Sequence, residues 1–483
     1  MLPPPFERST RADVHAVDER RNQARLAQLT RTHDELCTQA VDAFEIAAGL
    51  EAAGVSDRQA RTVYGAASVF ELAEAMYGLV PRRPSNAGAP TDPWQRPLAR
   101  HLLRGLLYGL PGLMYAVALA RLHSGFGALL LLGATVVASG LGQELSLLGH
   151  VLIGRGDRRA ARRLLRGALV CGALLLASLA VAGWLSGSLL PTAVLAGCQV
   201  EYLVAATVLM VMDADLLLLA VLTPGVLLAT AVLTGVAGAA PRAAVLGLLA
   251  LCVVGAVVAA GSQLTEAVGK TARHPREAPA LSGADRALGS TYLVYGTANA
   301  GLLSFAVVDL LGREGGAAGG QIALMMLPLV GCLGIAEWLV HHLRSRALTA
   351  LQQTTSVTAF RLRARSELGR AVLGYGAVLT LLTCAVVTAV PGPPDLLFAL
   401  RTCAYGVLGL AFLLETLLLS LGRNRLALGL ATSALVVDTA LRWALAPYSA
   451  ETVAVMHLAV FTGLLLIALP LAASQFGSVG AHR

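Results

Sequence analysis

Ionisable residues set within long apolar stretches are where this sequence could do chemistry. A charge at the centre of a bilayer costs roughly 3 kcal/mol or more unless a partner or a hydrated cavity receives it. Glu201, in AGCQVEYLV, lies near the middle of such a stretch with Gln199 and Tyr202 beside it, and is the first choice for a coupling or gating site. Glu144 and Glu337 occupy corresponding places in two related stretches, and Arg401 sits about 10 Å into its own by the helical rise per residue. Arg401 could attract an anionic group such as a phosphate. Asp438 falls in the outer part of its stretch, and Glu415 reaches towards the opposite interface. Each also admits a structural reading, as an ion pair or hydrogen bond that fixes one helix arrangement. His341 and His342, at the end of a stretch, read as interfacial anchors.

Other chemistries lack their patterns. There is no Walker A loop, HExxH, GxSxG or acid pair in a large loop, so the chain is not expected to be an enzyme. The seven cysteines show neither CxxC nor Cys/His ligand spacing, so no metal site and no cofactor is expected.

The elements that must position these residues are membrane spans. Apolar residues make up 56% of the 483 and charged ones 14%, about half the share of a soluble domain. The net charge of +8 would suggest nucleic acid in a soluble chain, but here the arginines gather between apolar runs, and no nucleic-acid partner is expected. The organising stretch is GLGQELSLLGHVLIGRGDRRAARRLLRGALVCGALLLASLAVA, from Gly140: an apolar helix bearing Glu144, an arginine-rich turn and a second apolar helix. A looser copy, LMMLPLVGCLGIAEWLVHHLRSR, starts at Leu324, continues through a basic loop and ends in RAVLGYGAVLTLLTCAVVTAV from Arg370. The expected fold is therefore all-α and polytopic, with about twelve transmembrane helices in two six-helix lobes related by a pseudo-twofold along the membrane normal. The lobes span 99–268 and 288–475, joined by a loop at 269–287 and followed by a tail at 476–483. Arginines crowd alternate loops while the others hold only Arg121, Arg242, Arg313 and Arg442, which places both termini in the cytoplasm of a bacterial inner-membrane protein. The loop around Asp213 and Asp215 lacks basic residues and fits this pattern least.

Each half opens on similar text, LLYGLPGLMYAVAL from Leu106 and YLVYGTANAGLLSFAVV from Tyr292. Gly109, Pro111 and Gly112 in one, and Gly296 and Gly301 in the other, predict interrupted helices that would flank a pathway. The alternative is that small residues simply let helices pack closely.

Ahead of the spans lies a polar region, 1–80, with a Pro/Gly-rich linker at 81–98. VDAFEIAAGLEAAG, a short helix capped at Ser56 and VFELAEAMYGLV read as three small helices, with Ala60, Val63, Tyr64, Phe70, Leu72, Ala73 and Met76 as a common core. A glycosyltransferase or a regulator docking on residues 1–80 is the expected cytoplasmic partner.

From Glu144 to Ala182, the span, GRGDRRAARRLLRGAL and the small-residue span resemble the multidrug/oligosaccharidyl-lipid/polysaccharide flippase superfamily. The resemblance implies two lobes in a V, a central cavity lined by the first two spans of each, and alternating access. LPLVGCLGIAEWLVHHLRSR resembles polysaccharide exporters more than drug antiporters. The expected activity is thus export of a polysaccharide or lipid-linked glycan, in contact with membrane lipids and a glycan or amphiphilic substrate, with Glu144, Glu201, Glu337 and Arg401 in one hydrated cleft. The alternatives are a cation-coupled multidrug antiporter, which would keep protonatable acids in one lobe, and a non-transporting scaffold recruiting partners through its N-terminal helices.

Overall fold

The computed structural model describes residues 21–40, 42–80, 97–119, 125–186, 190–233, 242–265, 281–311, 319–353, 356–389 and 395–481. The chain divides into two compact units, Met1–Asp92 and Pro93–Arg483. Almost all of the expected linker and most of the inter-lobe loop lie outside the described residues.

In the N-terminal unit, helices α1 (Asp34–Gln39), α2 (Ala43–Ala52), α3 (Asp57–Gln59) and α4 (Val69–Leu79) follow in order, with a π-helical turn at Ala60–Tyr64. Asp42 and Ser68 cap α2 and α4, and Ser56 with Gln59 makes a reciprocal capping box on α3. Gly54, at φ +90°, lets the chain turn away after α2. Ile46, Ala47, Leu50, Leu72, Ala73 and Met76 form the core, joined by Ala60, Val69 and Cys37. Two expected core residues lie outside it: Val63 is exposed, and Phe70, exposed too, packs edge-on against the still more exposed Phe44 at 5.8 Å. The period of α4 turns Val69, Leu72, Ala73 and Met76 inward and leaves Phe70 on the other face.

Among its described residues the second unit is built of helices: α5 (Leu98–Leu119), α6 (Gly125–Gly154), α7 (Arg158–Leu185), α8 (Leu190–Val211), α9 (Asp215–Leu233), α10 (Arg242–Thr265), α11 (Gly283–Leu303), α12 (Phe305–Leu311), α13 (Gly319–Gln353), α14 (Val357–Ala389), α15 (Leu396–Ser420), α16 (Asn424–Ala444) and α17 (Ala450–Phe476). Ten of these are long and apolar enough to cross a membrane, and α5 with the α11–α12 pair opens each half.

Within the first half α5 packs on α9, α6 on α7 and α8, α7 on α8, and α10 on both α8 and α9. Within the second, α11 packs on α16, α13 on α14 and α15, α14 on α15, and α17 on both α15 and α16. With α11 and α12 counted as one span, these are the same neighbours helix for helix, so the two halves are parallel repeats. The turns repeat as well. Ala214 donates to the Leu209 carbonyl (2.8 Å) and Arg423 to that of Leu418 (2.9 Å), each after a left-handed residue, Asp213 or Gly422. Both close their helix by the same six-residue Schellman hydrogen bond. Each half has its own apolar core, and α7 and α14 turn Leu174, Trp184, Leu373 and Leu381 outward as a lipid-facing surface would.

Two reciprocal seams join the halves, α5 against α13 and α6 against α11. At the first, a methyl group on Gly105 would run into the Gly334 backbone nitrogen; at the second, one on Gly296 would stand 3.0 Å from the Gly140 Cα. Backbones thus meet across both seams. This corrects the expectation of interrupted helices. The α5 helix runs unbroken through Gly109, Pro111 and Gly112, and α11 through Gly296 and Gly301. Gly109 faces Val330 and Gly301 faces Leu435, so these glycines serve close packing. The one interruption near them falls at Ser304, where the Tyr405 hydroxyl takes up the Leu303 carbonyl at 2.9 Å. A second correction concerns the basic loop expected before Arg370. Most of it is helix, extending α13 to Gln353 and starting α14 at Val357, as its Arg, Ala and Leu content favours.

The seam predicts a contrast between two glycines. Gly105→Ala should lower stability by about 1–3 kcal/mol, because two backbones must part to admit the methyl group. Gly167→Ala, in α7 with nothing within 4 Å, should be neutral or gain up to about 1 kcal/mol. Melting curves of the purified protein in detergent would separate them.

Candidate functional site

The densest buried charge lies in the second half, where four spans converge. The interruption at Ser304 starts α12, which carries Asp309; α16 brings Asp438 and Arg442, α15 brings Arg401, and α17 brings His457. His457 is fully buried, its Nδ1 2.6 Å from Asp438 Oδ1 and its Nε2 3.2 Å from Asp309 Oδ2. The other Asp309 oxygen, Oδ1, accepts from Arg442 Nε at 2.8 Å, and Arg401 Nη2 lies 4.0 Å from Oδ2, on the His457 side. Phe305 and Phe461 flank the imidazole, with ring centroids at 4.7 and 6.2 Å. A neutral imidazole can donate to only one of its two carboxylates, whereas an imidazolium donates to both. The cluster can therefore hold a proton shared among three groups, and its two arginines offset the carboxylate charge.

A second set of charges sits where the halves meet, at the end that bears the arginine-rich α6–α7 turn. Arg155, following α6, makes a two-pronged contact with Asp285 of α11, at 2.8 and 2.7 Å. Arg155, together with the Ser282 hydroxyl and amide, holds the Asp285 carboxyl well below the usual carboxylate range. At the reciprocal seam His101 of α5 approaches Glu337 and His341 of α13. Both latches tie the start of a half's first span to the end of the other half's second. Within the first half, Arg104 binds Asp215 at 3.0 Å and Asp213 at 3.1 Å, and Arg100 also binds Asp213.

The residues singled out from sequence do not share one cleft. Glu201 is 2% exposed and lies inside the first half, against Gly172 of α7, with neither oxygen hydrogen-bonded among the described residues. Gln199 and Tyr202 are buried on the same helix. Arg401 and Asp438 are brought together in the second-half cluster, while Glu144 and Glu337 are separated onto the two seams, Glu144 beside Gly289. The physical reason is the helix pairing: α8 and α15 are the hubs of their own halves, and α6 and α13 are the helices that meet the opposite half. Sequence reading missed Asp309, His457, Arg442 and His101. Asp309 directly follows YLVYGTANAGLLSFAVV, the opening stretch of the second half, and was legible as an intramembrane acid; its histidine partner, 148 positions on, was not.

No known family matches the chain by sequence, and no curated protein matches it. In structure it is similar to a MATE protein crystallised in complex with Br-NRF, at TM-score 0.52 and 15% identity over 78% of this chain and 95% of that one. An outward-facing multidrug resistance MATE family transporter of the MOP superfamily aligns over the same shares at 15% identity and TM-score 0.49. The first likeness shows that the membrane unit has the MATE fold, the fold implied by the flippase-superfamily resemblance.

Two outcomes follow from the charges. Asp309→Asn should cost about 3 kcal/mol, because it removes the carboxylate shared by His457 and Arg442; adding Arg442→Leu should restore part of the loss in detergent melts. The Arg155–Asp285 latch has a depressed carboxyl, so its contribution is complete above about pH 4, the ordinary Asp value, and is lost only as pH falls further. A spin-label distance between α6 and α11 should hold constant from pH 8 to 5 and lengthen in Arg155→Ala.

Proposed function

We propose that this chain is a cation-coupled antiporter that exports small amphiphilic compounds by alternating access. The observation that carries the reading is the Asp309–His457–Asp438 cluster, which concentrates protonatable groups in one half. That distribution is what separates an antiporter from the other readings. The MATE fold supports it, since the structure to which the chain is similar holds a bound compound, Br-NRF. Alternating access is supported by the reciprocal latches, which fasten both seams at the same end. By the positive-inside rule that end faces the cytoplasm of a bacterial inner membrane, with both termini on that side. The stretch that pointed to polysaccharide export forms α13, where Gly334, Glu337 and His341 serve the seam and do not discriminate a substrate class.

The test is uptake of a fluorescent amphiphilic cation into proteoliposomes under an imposed pH gradient. Wild type should accumulate it. Asp309→Asn and His457→Gln, checked for folding by size-exclusion profile, should lose the gradient-driven component at least about tenfold. Absence of uptake across a panel of amphiphilic cations, in protein whose seam distance never changes, would leave the scaffold reading standing instead.

A further inference from the structure

We infer that His101, Glu337 and His341 form a binding site for a divalent transition cation of the zinc class, shared between the two halves at their seam. One ligand atom from each lies within 4.8 Å of the others, the spacing at which three donors can face one ion. The donor set of two imidazoles and one carboxylate suits zinc-like cations and disfavours magnesium and calcium, which take oxygen ligands. Glu337 and His341 stand four residues apart, on one face of α13. His101 comes from α5 in the other half, placed there by the backbone contact of Gly105 with Gly334 and of Gly334 with the His101 carbonyl.

The state of His101 is the second observation. Its side chain is only 2% exposed, and neither ring nitrogen has an aligned hydrogen-bond partner among the described residues. Glu337 Oε1 is 3.2 Å from Nδ1, near enough for attraction but outside hydrogen-bond alignment, and the His341 ring is tilted against His101 at 4.8 Å. A buried imidazole normally has a partner for its polar atoms. Here Glu337 and His341, which stand beside it, are themselves metal-ligating types, and a cation among them would bind all three. Arg104, whose charge also reaches Glu337, is engaged by Asp213 and Asp215. Glu337 and His341 are partly exposed, which leaves a fourth position open to water. Because α5 and α13 belong to different halves, a bound ion would hold this end closed and oppose its separation.

Binding does not depend on the transport reading; the opposition to opening does. The experiment is equilibrium dialysis of the full, tag-free protein in detergent against Zn²⁺, with Co²⁺ as a spectroscopic stand-in. One equivalent of zinc, the intense visible bands of four-coordinate cobalt and no retention of Mg²⁺ are expected. His341→Gln should weaken zinc binding about a hundredfold or more, since even indirect support of a ligand is worth ten- to a hundredfold. Glu337→Gln should do likewise, which keeps the test sharp if the more buried His101→Gln misfolds. Unchanged stoichiometry and affinity in both variants, or weak octahedral cobalt spectra, would overturn the site. In a separate arm, zinc should shorten or sharpen a spin-label distance between α5 and α13 in wild type and leave His341→Gln unmoved. A zinc-insensitive distance in wild type that binds zinc would overturn the clamp but not the site.

Discussion

Everything in the membrane unit depends on how closely two pairs of backbones approach. Between helices in lipid there is no hydrophobic gain to be had, since the tails are as apolar as leucine. The halves must instead be held by dispersion at short range and by polar contacts, and dispersion at short range requires that no side chain intervene. Gly105 against Gly334 and Gly140 against Gly296 meet that requirement, one pair on each seam. The same approach determines where the polar residues fall. It brings His101 to Glu337 and His341 on one seam, and Glu144 to Gly289 with Arg155 to Asp285 on the other.

The backbone repeats, but the charge does not. In the first half the hub helix α8 carries Glu201 among apolar neighbours with no hydrogen-bond partner among the described residues. In the second half Asp309, Asp438, His457, Arg401 and Arg442 are drawn into one network. A network of that size in hydrocarbon is expensive unless its members satisfy one another, and four spans are committed to supplying them. The interruption at Ser304 belongs to the same arrangement. It ends α11, lets α12 present Asp309 to His457 and Arg442, and has its freed Leu303 carbonyl taken up by Tyr405. In this duplicated scaffold both copies share the shape, and one copy carries the buried charge network.

Much of this was legible in the sequence because bilayer physics acts on short windows of residues. Apolar length gave the spans, the recurrence of the Glu144 stretch gave the repeat, arginine placement gave the orientation, and Ser56 was readable as a helix cap. What escaped was whatever depends on partners far apart in the chain. Glu144, Glu201, Glu337 and Arg401 looked alike as intramembrane charges, yet two face seams and two are interior, a distinction set by which helices pair. The paired glycines carried a true signal, correspondence between halves, but its meaning was contact between backbones and not interruption. In the N-terminal unit, Phe70 looked like core by its type, whereas the helical period turns it outward.

The acidic turn between α8 and α9 shows how these levels connect. Counted alone, Asp213 and Asp215 contradict an arginine-rich face. In the fold, Asp213 occupies the left-handed position that Gly422 holds in the other half, a conformation aspartate tolerates better than most residues. Its carboxylate and that of Asp215 are then met by Arg100 and Arg104 from the first turns of α5. The compensating charge comes from a helix start, not from the loop itself, so a loop-by-loop count sees a deficit where the folded end is balanced. Charge asymmetry in such a protein is therefore a property of each membrane face, and helix starts must be counted with the loops they touch.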